Sequence, residues 1–142
     1  MASRKLERRK NILARLGVTE NAWRGSWSHD LGDSIVFDAW EHQWERHSDD
    51  SFWRYPLRTK DGHYNLADLQ QNPRHGHRKW QEHVDLVLAG KRKPRAIIPV
   101  ANDTSAIKNK GAKGWLPVAV DGHVEHGTQG QVWLCVDAVS AL

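Results

Sequence analysis

The fold of this chain depends most on the stretch NPRHGHRKWQEHVDLVLAGKRKPRAIIPVANDTSAIKNKGAKGW, residues 72–115. Asn72 and Pro73 are a typical helix start, with a capping residue placed before a proline at the first helical position. Apolar residues at helical spacing follow, and Gly90 is placed to end the helix. Residues 95–101 are rich in β-branched and apolar side chains. The stretch therefore predicts a helix followed by a strand.

Downstream of this stretch the sequence has strand patterns. The pair Asp121-Gly122 lies between two strand-like segments and predicts a hairpin, because Asp-Gly readily adopts the positive φ angles of a tight primed turn. A second turn over residues 127–130 precedes the alternating segment 131–138. Together with the strand at 95–101, these segments predict a C-terminal β-meander over about residues 95–138.

Upstream of the stretch we expect more helix. Residues about 4–16 place leucines on one face and Arg or Lys on the other, which predicts a basic amphipathic helix. The spacing of Phe37, Trp40 and Trp44 predicts a second helix over residues 38–47, after a short strand. Residues 52–58 alternate like an edge strand with a proline, and residues 63–71 predict a short helix or turn.

These elements predict an α+β fold, with two or three helices packed on a curved antiparallel sheet that could form a partly closed β-barrel. The 142 residues are expected to form a single domain, residues 1–142.

The amino-acid composition indicates the cellular compartment in which the chain is expected. Its single cysteine, Cys135, excludes an intramolecular disulfide, argues against a cysteine-based zinc site and fits a reducing compartment. No apolar run is long enough for a membrane span, and the N-terminus lacks the apolar core of a signal peptide. We therefore expect a cytoplasmic protein with no membrane partner.

The formal net charge is +4, and the positive charge is localised. Between residues 91 and 113 every charged side chain except Asp103 is Lys or Arg, whereas residues 114–142 contain neither. A localised basic surface is expected to face phosphates, so nucleic acid, in particular DNA, is the predicted partner. The predicted phosphate contacts are Arg74, Arg78, Lys91, Arg92, Lys93, Arg95, Lys108, Lys110 and Lys113.

The chain contains eight tryptophans, and several of them follow or precede a cation in sequence. Cations contact phosphates and flat rings stack on bases, so this combination predicts a nucleic-acid-binding domain, with an extruded or modified base as a candidate ligand. The predicted core tryptophans are Trp40, Trp44, Trp80 and Trp133, and the predicted base-stacking tryptophans are Trp23, Trp27, Trp53 and Trp115.

Histidines suggest an alternative function. His75, His77 and His83 could act with His63 or His123 in a small metal-dependent nuclease or other hydrolase. No standard catalytic or metal motif is complete, so a divalent metal is expected only under this alternative and no cofactor otherwise.

A third alternative is a protein-interaction domain with an aromatic groove. Cys135 lies in an apolar strand and is interpreted as a packing residue.

Overall fold

The computed structural model describes residues 5–18, 27–49, 51–59, 75–102 and 111–142. Within these residues, seven strands form one sheet and are accompanied by two α-helices and one 3-10 turn. The helices are α1 (Arg9–Arg15) and α2 (His75–Leu88), and the 3-10 turn is Glu41–Gln43. The strands are β1 (Ser28–Asp30), β2 (Ser34–Asp38), β3 (Glu45–Arg46), β4 (Phe52–Arg58), β5 (Lys93–Ala101), β6 (Ala112–His126) and β7 (Val132–Ala141).

The strands lie in the order β1-β2-β5-β6-β7-β4-β3. The sheet is mixed, because β2 and β5 are parallel whereas the other neighbouring strands are antiparallel. Its edges, β1 and β3, do not pair with each other, so the described strands form an open sheet. The prediction of two or three helices on an antiparallel sheet or partly closed barrel is therefore wrong: the described chain is mostly sheet.

The helix predicted over residues 38–47 accounts for part of this error. Only Glu41–Gln43 form a 3-10 turn there, and the chain is extended again at Trp44. Trp40 and Trp44 are both buried, and the indole N–H of Trp44 donates to the carbonyl oxygen of Ala39 at 3.0 Å. A short turn thus buries both rings, although their four-residue separation in sequence is also typical of a helix. The helix or turn predicted over 63–71 lies outside the described residues.

The predicted hairpin at Asp121-Gly122 is also wrong, because β6 continues through it to His126. Asp121 pairs with Ala138 and Gly122 with Val136, so Asp137 is the extra residue of a β-bulge. A side chain at position 122 would overlap the carbonyl oxygen of Cys135. The glycine is needed for this close approach of two strands rather than for a turn.

Helix α2 covers one face of the sheet and builds the main core. Trp80 is 2 % exposed, packs edge-on against Phe37 with ring centroids 4.8 Å apart, and donates its indole N–H to the carbonyl oxygen of Leu57 at 2.9 Å. Val84 and Val87 extend the buried face of the helix. The predicted end of this helix is confirmed, since Gly90 adopts a φ of 75°.

Helix α1 covers only part of the opposite face. Its buried residues Ile12 and Leu13 pack with Val36 and Ile97 of the sheet in a second, smaller core. Such apolar contacts, more than helix propensity, stabilise a helix of this length. The rest of this sheet face is not covered by a described helix.

No helix among the described residues has the length and apolar composition needed to cross a membrane.

Candidate functional site

The uncovered part of the sheet carries a row of polar side chains, which we call the open face. It lies opposite α2 on strands β4, β6 and β7, because the alternate residues of these strands pack into the α2 core. Cys135 is paired with His123 of β6 on one side and with Arg54 of β4 on the other. Strand pairing therefore places these three residues in one line across the sheet. The open face consists of Arg54, Asp121, His123, Glu125, Trp133, Cys135 and Asp137.

His123 lies at the centre of this row. Its Nδ1 atom is 2.7 Å from Oδ1 of Asp137 and must donate, because a carboxylate can only accept. The other ring nitrogen, Nε2, lies 3.8 Å from Oε2 of Glu125. The hydrogen bond to Asp137 thus fixes the ring with Nε2 towards Glu125, the arrangement found in the carboxylate–histidine pairs that support metal ligands.

Cys135 lies beside the same carboxylate. Its thiol donates to Oε2 of Glu125 at 2.7 Å. Burial raises the pKa of the Cys135 thiol to about 12, and the hydrogen bond to Glu125 and the charge of that group act in the same direction. The thiol is therefore protonated at neutral pH and is a poor nucleophile.

The ligand atoms of His123, Glu125 and Cys135 lie within 4.8 Å of one another. This group was not among the predicted sites, because its members come from two strands that meet only through their register. A usable signal was present: His-x-Glu on one strand and Cys-x-Asp on the next, each with the two-residue spacing that places both side chains on one face.

An aromatic group lies next to the open face, at the β3–β4 edge. Trp53 has no partner in β3, because Glu45 pairs with Arg54 and Arg46 with Phe52, so Trp53 is the extra residue of a second bulge. Bulges redirect side chains, and Trp53 is 39 % exposed.

The contacts of Trp53 hold its ring in place. The ring of His47 stacks on it with centroids 5.2 Å apart and planes 27° apart. The guanidinium of Arg54 lies 4.3 Å from the Trp53 ring centroid and 3.9 Å from that of Trp133. We call His47, Trp53, Arg54 and Trp133 the Trp53 platform.

The other predicted stacking residues are in different positions. Trp27 and Trp115 are both half-buried, Trp27 against the main core and Trp115 against the smaller core under α1. The guanidinium of Arg9 in α1 lies 5.0 Å from the first ring and 5.9 Å from the second. Arg9 also forms an ion pair at 3.1 Å with the buried carboxylate of Asp38, which accepts a second hydrogen bond from His29. These two tryptophans therefore help to fix α1. Trp23 lies outside the described residues.

Of the predicted phosphate contacts that the structure describes, some are held by carboxylates and the others are exposed. Arg92 is held by Asp30 at 2.8 Å, and this hydrogen bond lowers the pKa of the Asp30 carboxyl. Arg95 is held by Asp121 at 2.7 Å. The exposed members are Arg78, Lys91, Lys93 and Lys113, whereas Arg74, Lys108 and Lys110 lie outside the described residues.

A pocket of about 850 Å³ connects this basic region to the open face. Its lining includes Arg92, Lys93 and Arg95 on one side and His123 and Asp137 on the other. A ligand in the pocket would contact both cations and carboxylates.

The predicted histidine cluster is not assembled among the residues that the structure describes. His83 is buried on the α2 side, where its Nδ1 forms a 2.6 Å hydrogen bond with Oγ of Ser28. Burial lowers the pKa of His83. His123 lies on the opposite side of the sheet. His63 and the side chains of His75 and His77 lie outside the description.

No protein-family model, curated protein or solved structure matches this chain.

Proposed function

We propose that this chain is a nucleic-acid-binding domain that stacks a base on Trp53. The observation that supports this proposal is the position of Trp53, a tryptophan placed on a bulge at the sheet edge and held in place while 39 % exposed. Stacking of a base on an aromatic side chain is worth about 1–3 kcal/mol. Because the guanidinium of Arg54 already packs 4.3 Å from the centroid of this ring, little further ordering of the ring is needed when a base binds.

The stacked His47 marks the face of Trp53 that a base would occupy. An imidazole ring lies 5.2 Å from the indole ring, which means that this face accepts a flat aromatic group. His47 is exposed, so a base can replace it without opening the core. A site with one platform suits a single unpaired base, such as an extruded or modified one, better than a long stacked strand.

The exposed lysines at the start of β5 would bind the phosphates. Lys91 and Lys93 are exposed, and no ion pair of either side chain is found among the described residues. Strands β6 and β7 separate β5 from β4, so the lysines lie about 14 Å across the sheet from the Trp53 platform. Nucleotides of one duplex strand are about 3.4 Å apart along the helix axis, so about four nucleotides next to the unpaired base cover that distance.

Oligonucleotide binding tests the role of the platform. We would measure fluorescence anisotropy with labelled single-stranded DNA, duplex DNA containing one unpaired base, and RNA. Trp53→Ala is expected to weaken binding about 5- to 150-fold, the equivalent of the stacking free energy. His47→Ala should preserve or increase affinity. The matched control is Val139→Ala, which alters another exposed apolar side chain. Unchanged affinity of the Trp53 variant would refute the proposal.

The salt dependence tests the lysines. Lys91→Ala/Lys93→Ala is expected to flatten the plot of log affinity against log salt by about 0.9 per lost phosphate contact on duplex DNA that contains the unpaired base. Arg92→Ala is the control and should change the slope less, because its guanidinium is held by Asp30. An unchanged slope in the double variant would remove both lysines from the site.

Two earlier alternatives stay predictions: the hydrolase based on His75, His77 and His83, and the protein-interaction domain. A wild-type protein that binds none of the probes at physiological salt would favour them. The cytoplasmic location also stays a prediction.

A further inference from the structure

We propose that His123, Glu125 and Cys135 bind a divalent transition-metal ion such as Zn²⁺, with Asp137 as a positioning residue for His123. This inference does not depend on nucleic-acid binding. It rests on four side chains that strand pairing brings together on the open face.

The distances between the ligand atoms support the proposal. In a tetrahedral zinc site with bonds of about 2.0–2.3 Å, neighbouring ligand atoms lie about 3.3–3.7 Å apart. Nε2 of His123 is 3.8 Å from Oε2 of Glu125, and Sγ of Cys135 is 2.7 Å from the same oxygen. The three ligand atoms all lie within 4.8 Å of one another. A change of about 1 Å at each side chain therefore completes the geometry.

The orientation of His123 is a second argument. Because Nδ1 donates to Asp137, Nε2 is the ring nitrogen that faces Glu125 and the thiol and the one that would bind the metal. Asp137 reaches His123 because it is the extra residue of the bulge in the β6–β7 pairing. Ligating histidines commonly have such a carboxylate partner, which fixes the tautomer and increases the basicity of the ligand.

The ligand types select the class of metal. A thiolate and an imidazole favour Zn²⁺ and related soft or borderline ions over Mg²⁺ and Ca²⁺, which prefer sites made of oxygen ligands. With Cys135 deprotonated, Glu125 and the thiolate together neutralise a divalent ion. Three protein ligands leave the fourth tetrahedral position to water.

Binding of the metal includes a proton release. The thiol proton, which is donated to Glu125 in the metal-free chain, is released to solvent as the metal–sulfur bond forms. One proton is released per ion, so affinity rises with pH. The metal does not change oxidation state.

Cobalt absorption spectroscopy tests the site directly. Co²⁺ bound to a thiolate has an intense sulfur-to-metal charge-transfer band, and since the chain contains one cysteine, that band reports Cys135 alone. We expect the band to appear with one Co²⁺ per chain and to disappear on addition of Zn²⁺. The titration uses the full chain without nucleic acid, so its outcome is separate from that of the proposed function.

Variants assign the roles of the four side chains. Cys135→Ser should abolish the band, and His123→Gln should weaken Zn²⁺ binding in calorimetry by at least 100-fold. Asp137→Asn should weaken it about 10- to 100-fold, as for other carboxylates that orient a ligand. The matched control is His126→Gln, an exposed histidine on the same strand, which should bind like the wild type. Circular dichroism checks that each variant is folded.

Two results would overturn the proposal. The first is wild-type protein without a charge-transfer band at millimolar Co²⁺. The second is folded His123→Gln protein that binds Zn²⁺ as tightly as the wild type.

Discussion

The two faces of the sheet differ in how their polar groups are satisfied. On the face covered by α2, polar groups such as the indole N–H of Trp80 and the ring of His83 have hydrogen-bond partners inside the core. On the open face, the exposed His123 and the buried Cys135 each form a hydrogen bond with a carboxylate on the neighbouring strand, and these carboxylates are exposed. The first arrangement stabilises the fold, and the second positions side chains that a ligand can use.

The same residue type therefore has different roles on the two sides. Trp80 is 2 % exposed in the centre of the core, whereas Trp53 is 39 % exposed at the edge. Large buried rings contribute most of the hydrophobic stabilisation, whereas an exposed ring can contribute to binding instead. Substitutions on the two faces should separate stability from binding.

The largest effect is expected at Trp80. Trp80→Ala should lower the free energy of unfolding by about 3–5 kcal/mol, because it leaves a cavity under α2 and an unpaired carbonyl group at Leu57. Trp53→Ala is the matched variant and should cost less than about 1 kcal/mol. Urea denaturation measures both. Equal losses at the two positions would contradict the distinction between the faces.

A somewhat smaller effect is expected at Asp38, under α1. Its carboxylate is fully buried between Arg9 and His29, and removing one partner of a buried ion pair leaves the other uncompensated. Asp38→Ala should therefore cost about 3 kcal/mol. Asp30→Ala, which breaks the more exposed pair with Arg92, should cost at most about 1 kcal/mol. An Asp38 variant as stable as the Asp30 variant would show that α1 does not depend on this pair.

The smallest stability effect is expected from the titration of His83. Burial lowers its pKa below 6.5, with Lys79 and His29 acting in the same direction and Asp30 and Glu82 opposing them. Below about pH 6.5 the unfolded chain therefore binds a proton that the folded chain does not, and stability falls as the pH falls. The loss is about 1.4 kcal/mol for each unit of pKa shift.

Urea midpoints between pH 7.5 and 5 measure this effect. His83→Gln, which can still hydrogen-bond to Ser28, should flatten the curve, whereas the exposed control His126→Gln should not. Parallel curves for His83→Gln and the wild type would contradict the assignment.

Local patterns predicted part of this structure. The apolar spacing along α2 and its glycine stop identified a helix, and the strand-like residues at 95–101 lie in β5. The four tryptophans predicted to be in the core are buried. In each case the spacing of apolar residues within one continuous segment is enough to predict which of them are buried.

The rest depends on contacts between distant segments. The spacing of Trp40 and Trp44 fits a helix, but a short turn buries both rings equally well. The pair Asp121-Gly122 is typical of a tight turn, but it lies within the continuous strand β6. The glycine is needed there because the backbone of Cys135 passes close to it. The group of His123, Glu125 and Cys135 and the Trp53 platform both depend on β-bulges and on strand register, which a single sequence does not specify.

The most direct test of the account is nuclear magnetic resonance of the eight tryptophan indole N–H groups during titration with DNA containing one unpaired base. Single Trp→Phe variants assign the signals. We expect the Trp53 signal to shift most and the Trp133 signal less, while those of Trp44 and Trp80 do not move. A saturating complex in which the Trp53 signal is unchanged, or in which Trp27 or Trp115 shifts most, would contradict the assignment of the Trp53 platform as the binding surface.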